Sequence, residues 1–495
     1  MLTPPSFSPR RLSLLSTALL STVTLGSAPA QNVEELFKNN CIACHGENYA
    51  GGSASSMLND DWVTDGSDRE LFNAIYKGIE DAGMPAFEGG LTEAQSWALV
   101  VYLREARDEK RREALGDSKP DGQGVFATQH HSYKVETVAE GLVRPWSIEF
   151  LPDGTMLVSE RNGELRLIID DKLVKQPVVG TPKVWNHGQG GLLDIAVDPN
   201  YDTPGHPGNG WIYLSYSEIT DDSGDKPAGM TAVVRGKLEK RGSRWVWTNQ
   251  ETLFETPAEH ASPGRVHYGS RFVFDDDNTL FFTIGDRGQM PRSQELDRPN
   301  GKVHRIHTDG SIPEDNPFLS DSNAMPSVWS YGHRNPQGLA KHPVTGLLYD
   351  IEHGPRGGDE INLVEPGNNY GWPVVSYSMN YNRTPFGKNP PFHEDKGFVE
   401  PVYYWLPSIA QCGSSFYVGD GFPNWQNDLF VAALAKEEIR RVRLSEDGKT
   451  VIEDEPIYRG QGRIRDVMPG PDGALYVAVE NRGDPGFIRR LVPVD

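Results

Sequence analysis

Tyr331-Gly332-His333-Arg334-Asn335-Pro336-Gln337-Gly338 opens a polar tract that runs on through Glu352-His353-Gly354-Pro355, Gly358-Asp359-Glu360-Ile361-Asn362 and Asn369-Tyr370-Gly371-Trp372. A core strand is written as alternating or continuous apolar residues. These segments instead set Arg, Asn and carboxylates among Gly, Pro and Asn turns, the composition of loops that hold a polar ligand. A set of well-capped turns is the plainer reading.

Outward from this tract, a turn rich in Asp, Asn and Gly followed by a short apolar strand recurs. Instances are Pro152-Asp153-Gly154-Thr155-Met156-Leu157-Val158, Gly210-Trp211-Ile212-Tyr213-Leu214, Asn278-Thr279-Leu280-Phe281-Phe282, Gly346-Leu347-Leu348-Tyr349, Asn427-Asp428-Leu429-Phe430-Val431 and Pro471-Asp472-Gly473-Ala474-Leu475-Tyr476-Val477. Irregularly spaced units of this kind suggest propeller blades with insertions. The 52 Gly and 37 Pro, with 18 Tyr and 11 Trp, suit many short strands joined by tight turns.

A chain of 495 residues is long for one core, so two domains are expected. Lys and Arg total 48 against 69 Asp and Glu, a net charge of −21, which argues against nucleic acid and anionic membranes as partners. Residues 1–30 read as an export signal: Arg10-Arg11, an apolar stretch from Leu12 to Leu25, and Ala28-Pro29-Ala30 as cleavage site. The stretch is too short to span a bilayer, and the surroundings of Arg10-Arg11 fit twin-arginine export poorly. With no later apolar run long enough for a membrane span, a mature periplasmic protein cleaved near Ala30 is expected.

Residues 31–107 form the first expected domain, small and all-α. Asn32 and Glu35 make an N-terminal capping pattern ahead of Val33, Leu36 and Phe37, leading into Cys41-Ile42-Ala43-Cys44-His45. C-x-x-C-H is the covalent haem attachment signature, with His45 as an axial ligand; a zinc site would need further Cys or His nearby. Met84, in Gly83-Met84-Pro85-Ala86-Phe87, is the expected thioether on the far side of the iron, with Met57 as competitor and core filling as the bland reading. Thr92-Glu93-Ala94-Gln95 is a capping box opening a helix with Trp97, Val100, Val101 and Arg104 on one face. The segment is similar to class I cytochrome c. From Arg107 the mixed charges read as a helix fraying into a linker over residues 108–132. The third cysteine, Cys412, has no partner and reads as a small buried hydrophobe.

From about Tyr133 to the C-terminus, residues 133–495, the chain resembles the soluble PQQ-dependent glucose and aldose sugar dehydrogenases of the glucose/sorbosone dehydrogenase group. The resemblance rests on the tract above with Gly188-Gln189-Gly190-Gly191-Leu192-Leu193, Thr283-Ile284-Gly285-Asp286, Gly301-Lys302-Val303, Asp309-Gly310-Ser311-Ile312-Pro313 and Arg463-Ile464-Arg465-Asp466-Val467. It implies an all-β propeller of six blades. It implies that Arg334, Lys436, Arg463 and Arg465 contact the three carboxylates of PQQ, with Gln189 and Asn335 as neutral partners. Arg suits that role through its planar fork. On pattern alone Arg463 and Arg465 could be one face of a strand, and the match at Lys436 could slip by one against Ala435 or Glu437.

The resemblance further implies His267 as the base at the sugar's anomeric hydroxyl, Asp286 as the carboxylate that orients it, and Arg334 as stabiliser of the oxyanion. Without it His260, His304, His333 and His353 would be equal candidates. Calcium is implied between PQQ and the carbonyls of Gly354 and Pro355, and at a second site of Glu360 and the Tyr370 carbonyl; Glu360 could also be a surface acid. Val266 stands where the glucose enzymes place an acid, and the loop from Ser376 to Gly397 has no match, so the sugar is left open. The expectation is a quinohaemoprotein that oxidises an aldose to its lactone on PQQ and passes electrons to haem c, then to a soluble cytochrome or respiratory component. The rival is an electron-transfer cytochrome whose propeller binds sugar or protein without turnover. An eight-bladed alcohol dehydrogenase is disfavoured by the lack of an adjacent Cys pair, and a six-bladed lactonase shares the fold alone.

Overall fold

In the computed structural model, residues 31–59, 66–224, 226–275, 278–387, 391–481, 483 and 485–494 are described. The expected export signal and its cleavage site lie outside them.

Helix α1 (Val33–Asn40) starts where Asn32 Oδ1 accepts the Glu34 N–H at 2.8 Å, and it buries Val33, Leu36 and Phe37. The attachment motif forms a single turn, α2 (Ile42–His45), and α3 (Asp68–Lys77) is capped by Ser67. Helix α4 (Glu93–Leu115) opens on the capping box, with Gln95 N–H donating to Thr92 Oγ1 at 3.2 Å and Thr92 N–H to Gln95 Oε1 at 2.8 Å. Its first half, including Trp97, Val100 and Val101, is buried; its second half does not fray at Arg107 as expected. The propeller holds it: Asp108 pairs with Lys436 at 2.6 Å and Arg112 with Glu438 at 2.6 Å.

Beyond the short strand Phe126–Ala127, six sheets follow in a ring. Each recurring turn-and-strand unit of the sequence is the second strand of its blade: Met156–Glu160, Ile212–Asp221, Thr279–Ile284, Leu348–Glu352, Leu429–Ala433 and Leu475–Glu480. The first five blades are consecutive antiparallel meanders of four strands. The sixth takes Arg463–Pro469, Leu475–Glu480 and Gly486–Val494 from the C-terminus and closes on Ser132–Leu142, with Ser132 opposite Val494 and Leu142 opposite Gly486. The innermost strands are Pro145–Phe150, Leu192–Val197, Phe272–Phe274, Pro336–Lys341, Gln411–Phe416 and Arg463–Pro469. Because the second strand runs antiparallel to the first, the residues entering every inner strand and those leaving every second strand share one end of the ring. That end carries the site.

The helical core does not stop at the domain edge. Val33, Phe37, Leu71, Trp97 and Val101 pack in one cluster with Tyr377, Met379 and Phe392 of the propeller. Trp97 meets Tyr377 at 5.5 Å and Phe392 at 5.7 Å, and Tyr377 stacks on Tyr404 at 3.9 Å. Aromatic pairs of this kind add about 0.5–1.5 kcal/mol each beyond their buried area, so the two units are packed as one body. No helix of the described residues is long and apolar enough to cross a membrane.

Candidate active site

At the shared end of the ring, a cavity of about 160 Å³ is walled by Arg161, Arg334, Arg463 and Arg465, by Gln189, Asn335 and Gln337, and by the imidazoles of His267 and His353. Glu480 is the one carboxylate on its wall. Each residue arrives as the topology requires. Gln189, His267, Arg334 and Asn335 sit in the turns entering inner strands, Arg463 and Arg465 begin the last inner strand, and Arg161, His353 and Glu480 end or follow second strands.

His267 is held in the left-handed region at φ 57°, a conformation costing a β-carbon residue about 1–3 kcal/mol unless its surroundings fix it. They do. Its N–H donates to Gln189 Oε1 at 2.8 Å, and its Nδ1 lies 2.6 Å from Asp286 Oδ1. Asp286 is fully buried and accepts two further hydrogen bonds, from Gly288 N–H at 2.7 Å and Trp372 Nε1–H at 2.8 Å. Burial alone would raise its carboxyl, but the bond from His267 leads the effects that hold it below the usual carboxylate range. An ionised Asp286 only accepts, so Nδ1 carries the imidazole proton and Nε2 keeps its lone pair. Burial first, then the charge of Arg334, keeps His267 below its ordinary value of 6.5 in spite of Asp286, so it is neutral at pH 7.

The cations are only partly compensated. Arg465 pairs with Glu480 through Nε at 2.9 Å and donates through Nη1 to Gln337 Oε1 at 3.1 Å. Arg161 stands 3.6 Å from the same Glu480, and burial and the nearby Arg465 pull it down to about 10, so it stays charged at neutral pH. Arg463 Nη1 donates to the Leu434 carbonyl at 3.1 Å. Arg334 donates from Nη1 to the His353 carbonyl at 3.0 Å and from Nη2 to Tyr381 Oη at 3.3 Å. The buried Nε atoms of Arg334 and Arg161 have no hydrogen-bond partner among the described residues. Four guanidiniums face one carboxylate in a closed space, which is a site for a small polyanion.

The structure gathers Gln189, His267, Arg334, Asn335, Arg463 and Arg465 on one wall, and Lys436 is not among the residues lining it. Its Nζ pairs with Asp108 of α4 at 2.6 Å, and Leu434 is the blade-five residue that lines the wall. Arg465 is buried and is no exposed strand face. Sequence reasoning missed Arg161, Gln337, His353 and Glu480. Blade position points to three of them, since Glu480 ends its second strand, Arg161 and His353 stand one residue past theirs, and Asp286 stands two past that of the third blade. The glycines around Gln189 are explained here as well: a β-carbon on Gly191, at φ 153°, would lie 2.0 Å from the Arg161 carbonyl.

The other four candidate bases are committed to protein partners. His304 is buried between Ser327 Oγ at 3.0 Å and the Pro299 carbonyl at 3.1 Å, and His260 meets Arg298 at 3.1 Å outside the cavity. His333 lies 3.0 Å from Asp350 and 3.2 Å from Glu352; although burial lowers it, these carboxylates lift it to about 9. His353 faces the cavity, but its Nε2 is used on Gln337 Oε1 at 3.2 Å.

Next to the cavity and sharing Arg334 and His353 with it, a void of about 10 Å³ is lined by Gly354, Glu352, Glu360, Tyr370 and His393. Glu360 is buried rather than a surface acid, and burial and Glu352 push its carboxyl well above the ordinary range. Asn362 Oδ1 beside it has no hydrogen-bond partner among the described residues. Crowded hard oxygens of this kind suit a divalent cation such as calcium. Pro355 follows Gly354 on the same loop.

In the helical domain the Cys41 and Cys44 thiols are unbridged, with Cys44 exposed, and His45 Nδ1 is buried without a partner among the described residues. Burial, then Cys44, pushes the Cys41 thiol up to about 11. Met84 is fixed by two bonds to Ile79, its N–H donating to Ile79 O at 3.0 Å and its carbonyl accepting Ile79 N–H at 2.9 Å, and it stays half-exposed. Met57 is buried in the core.

A propeller with a cationic pocket and an oriented imidazole, joined to a small helical domain bearing C-x-x-C-H, defines a redox protein of two units. The chain belongs to the Glucose / Sorbosone dehydrogenase family, whose model matches residues 142–489, while residues 28–103 match Cytochrome C oxidase, cbb3-type, subunit III. It is 43% identical over 350 residues to the aldose sugar dehydrogenase YliI of Escherichia coli, covering 70% of this chain and 90% of that one. It is 28% identical over 429 residues to quinoprotein glucose dehydrogenase B of Acinetobacter calcoaceticus, covering 71% and 86%. The PQQ-bound aldose sugar dehydrogenase of Streptomyces coelicolor superposes with a TM-score of 0.57 at 26% identity, covering 73% of this chain and 98% of that structure. The chain is therefore a sugar dehydrogenase with a cytochrome c domain attached.

Proposed function

We propose that the chain is an exported, periplasmic quinohaemoprotein that oxidises the anomeric hydroxyl of an aldose to the lactone. The observation that carries this is a single cavity in which a neutral imidazole, its tautomer fixed by Asp286, faces four guanidiniums. Arg161, Arg334, Arg463 and Arg465 would hold the three carboxylates of PQQ, with Asn335, Gln337 and Gln189 as neutral partners. When bound, PQQ supplies a two-electron acceptor for the hydride leaving the anomeric carbon.

The chain's own residues do the rest. His267 Nε2 takes the hydroxyl proton, and the resulting imidazolium shares its charge with Asp286. The Arg334 guanidinium steadies negative charge as it develops on the sugar oxygen. Calcium would bind the carbonyls of Gly354 and Pro355, and a second ion Glu360 with the Tyr370 carbonyl. Cys41 and Cys44 would attach haem c, and His45 and Met84 would bind its iron; the haem would supply a one-electron carrier to an external acceptor. Fusion keeps that carrier at high local concentration.

The full-length protein loaded with haem, PQQ and Ca²⁺ is mixed with an aldose and the haem band is followed. Reduction that requires PQQ, Ca²⁺ and sugar together is the expected result. Haem that stays oxidised, with sugar bound but unchanged, would show instead an electron carrier with a sugar-binding propeller.

A further inference from the structure

The turn at 380–383 touches both the cavity and the helical domain. Tyr381 at its tip is 67% exposed, unusual for an aromatic ring, and its Oη accepts the Arg334 Nη2 bond at 3.3 Å. Both flanks of the tip are fixed by the other domain. On one side Met379 is fully buried in the helical core, and its N–H donates to the carbonyl of Arg356, whose guanidinium grips Glu105 of α4 at 2.6 and 3.1 Å. On the other side Val33 N–H, at the start of α1, donates to the Arg383 carbonyl at 2.8 Å, and Asn32 Nδ2 donates to the Asn382 carbonyl at 3.0 Å.

The Arg383 guanidinium completes the clamp. It pairs with Glu34, lies 3.7 Å from Glu105 and sits over the Tyr102 ring at 5.6 Å. Arg383 itself is left-handed at φ 61°, a conformation that needs such anchoring. The turn thus gives one first-turn N–H of α1 an acceptor while α1 gives the turn its shape.

We propose that Tyr381 is the wall on which the aldose ring stacks, and that the helical domain positions it there, so that a domain named for electron transfer also completes the sugar-binding mouth. An aromatic face takes the axial C–H groups of a pyranose, while Oη stays on Arg334 beside the expected reacting oxygen. The inference rests on the function proposed above and names a determinant of its substrate binding.

The test uses the full-length protein loaded with haem, PQQ and Ca²⁺, an aldose, and a dye that accepts electrons at the propeller. Tyr381→Ala raises KM about tenfold, the worth of one aromatic contact, with kcat within about threefold; Tyr381→Phe, which keeps the ring, recovers most of the affinity. Arg383→Glu raises KM and speeds hydrogen exchange at the amides of 379–384, and combining it with Glu34→Arg reverses both. An unchanged KM in Tyr381→Ala, a Phe variant as impaired as Ala, or failure of the charge swap would overturn the proposal. Wild-type protein that oxidises no aldose would overturn the functional reading instead. The exchange measurement needs no sugar and still judges the clamp.

Discussion

Replacing Asp286 by Asn changes one atom of a fully committed carboxylate. Oδ1 accepts from His267 Nδ1 and Gly288 N–H, at 2.6 and 2.7 Å, and Oδ2 accepts from Trp372 Nε1–H at 2.8 Å. All three partners are donors in the wild type, and an amide offers only one acceptor oxygen. If that oxygen keeps the His267 side, the new NH₂ faces the indole N–H and a buried donor is stranded, costing about 1–3 kcal/mol of stability. If the amide flips, its NH₂ forces the proton of His267 onto Nε2, and the imidazole can no longer take a proton from the sugar. A base in the wrong tautomer costs on the order of 10²–10⁴ in rate.

The pH profile separates this from a folding defect. In the wild type, activity needs neutral His267, whose pKa is held below 6.5, so the rate is level above that pH and falls only on its acid side. Asp286 is a raising influence on His267, so in Asp286→Asn the acid limb moves to lower pH while the plateau drops. The assay is sugar-dependent dye reduction from pH 4 to 9 on loaded protein, with the melting temperature measured in parallel. A plateau within threefold of wild type and an unmoved limb would refute His267 as the base.

Arg463→Ala should weaken PQQ binding by about tenfold or more, the cost of one charge-assisted contact, as measured by titrating the cofactor against fluorescence. Lys436→Ala should leave that affinity unchanged and lower stability by at most about 1 kcal/mol, because its partly exposed ammonium serves Asp108. Excess Ca²⁺ should raise the melting temperature of the wild type, with a gain of about 2.7 kcal/mol at a hundredfold excess over Kd, and the gain should be largely lost in Glu360→Gln. Met84→Ala should open an iron position to carbon monoxide, whereas Met57→Ala should instead lower stability by about 2–5 kcal/mol and leave the haem spectrum intact.

The blades were legible because each second strand follows a turn signal and carries a short apolar run, so Met156–Glu160 and Leu475–Glu480 stand out by themselves. Inner strands were not, because they carry polar groups toward the channel: Arg463, Arg465 and Asp466 share one strand with Ile464 and Val467. The site was legible where motifs cluster, as around Arg334 and Asn335. Arg161 and Glu480 were hidden because single charged residues at strand ends look like ordinary surface, and only ring closure brings them together. The Lys436–Asp108 pairing was hidden for a related reason, since the two residues lie in different domains and no local pattern announces it. The same contact explains why α4 outlasts its apolar face: residues past Arg107 are kept helical by the propeller.

The strand Ser132–Leu142 pairs with Gly486–Val494, so the last blade is assembled from two ends of the ring chain. Joining segments roughly 350 residues apart carries a closure cost of about 5 kcal/mol before any packing is gained. During synthesis the five preceding blades must therefore wait, as an open arc, for Gly486–Val494. Because Ser132–Leu142 is tethered to α4 through residues 116–131, closing the ring also fixes the point from which the helical unit is strung, and a protein clipped before Gly486 would lose that fixed point together with its circle.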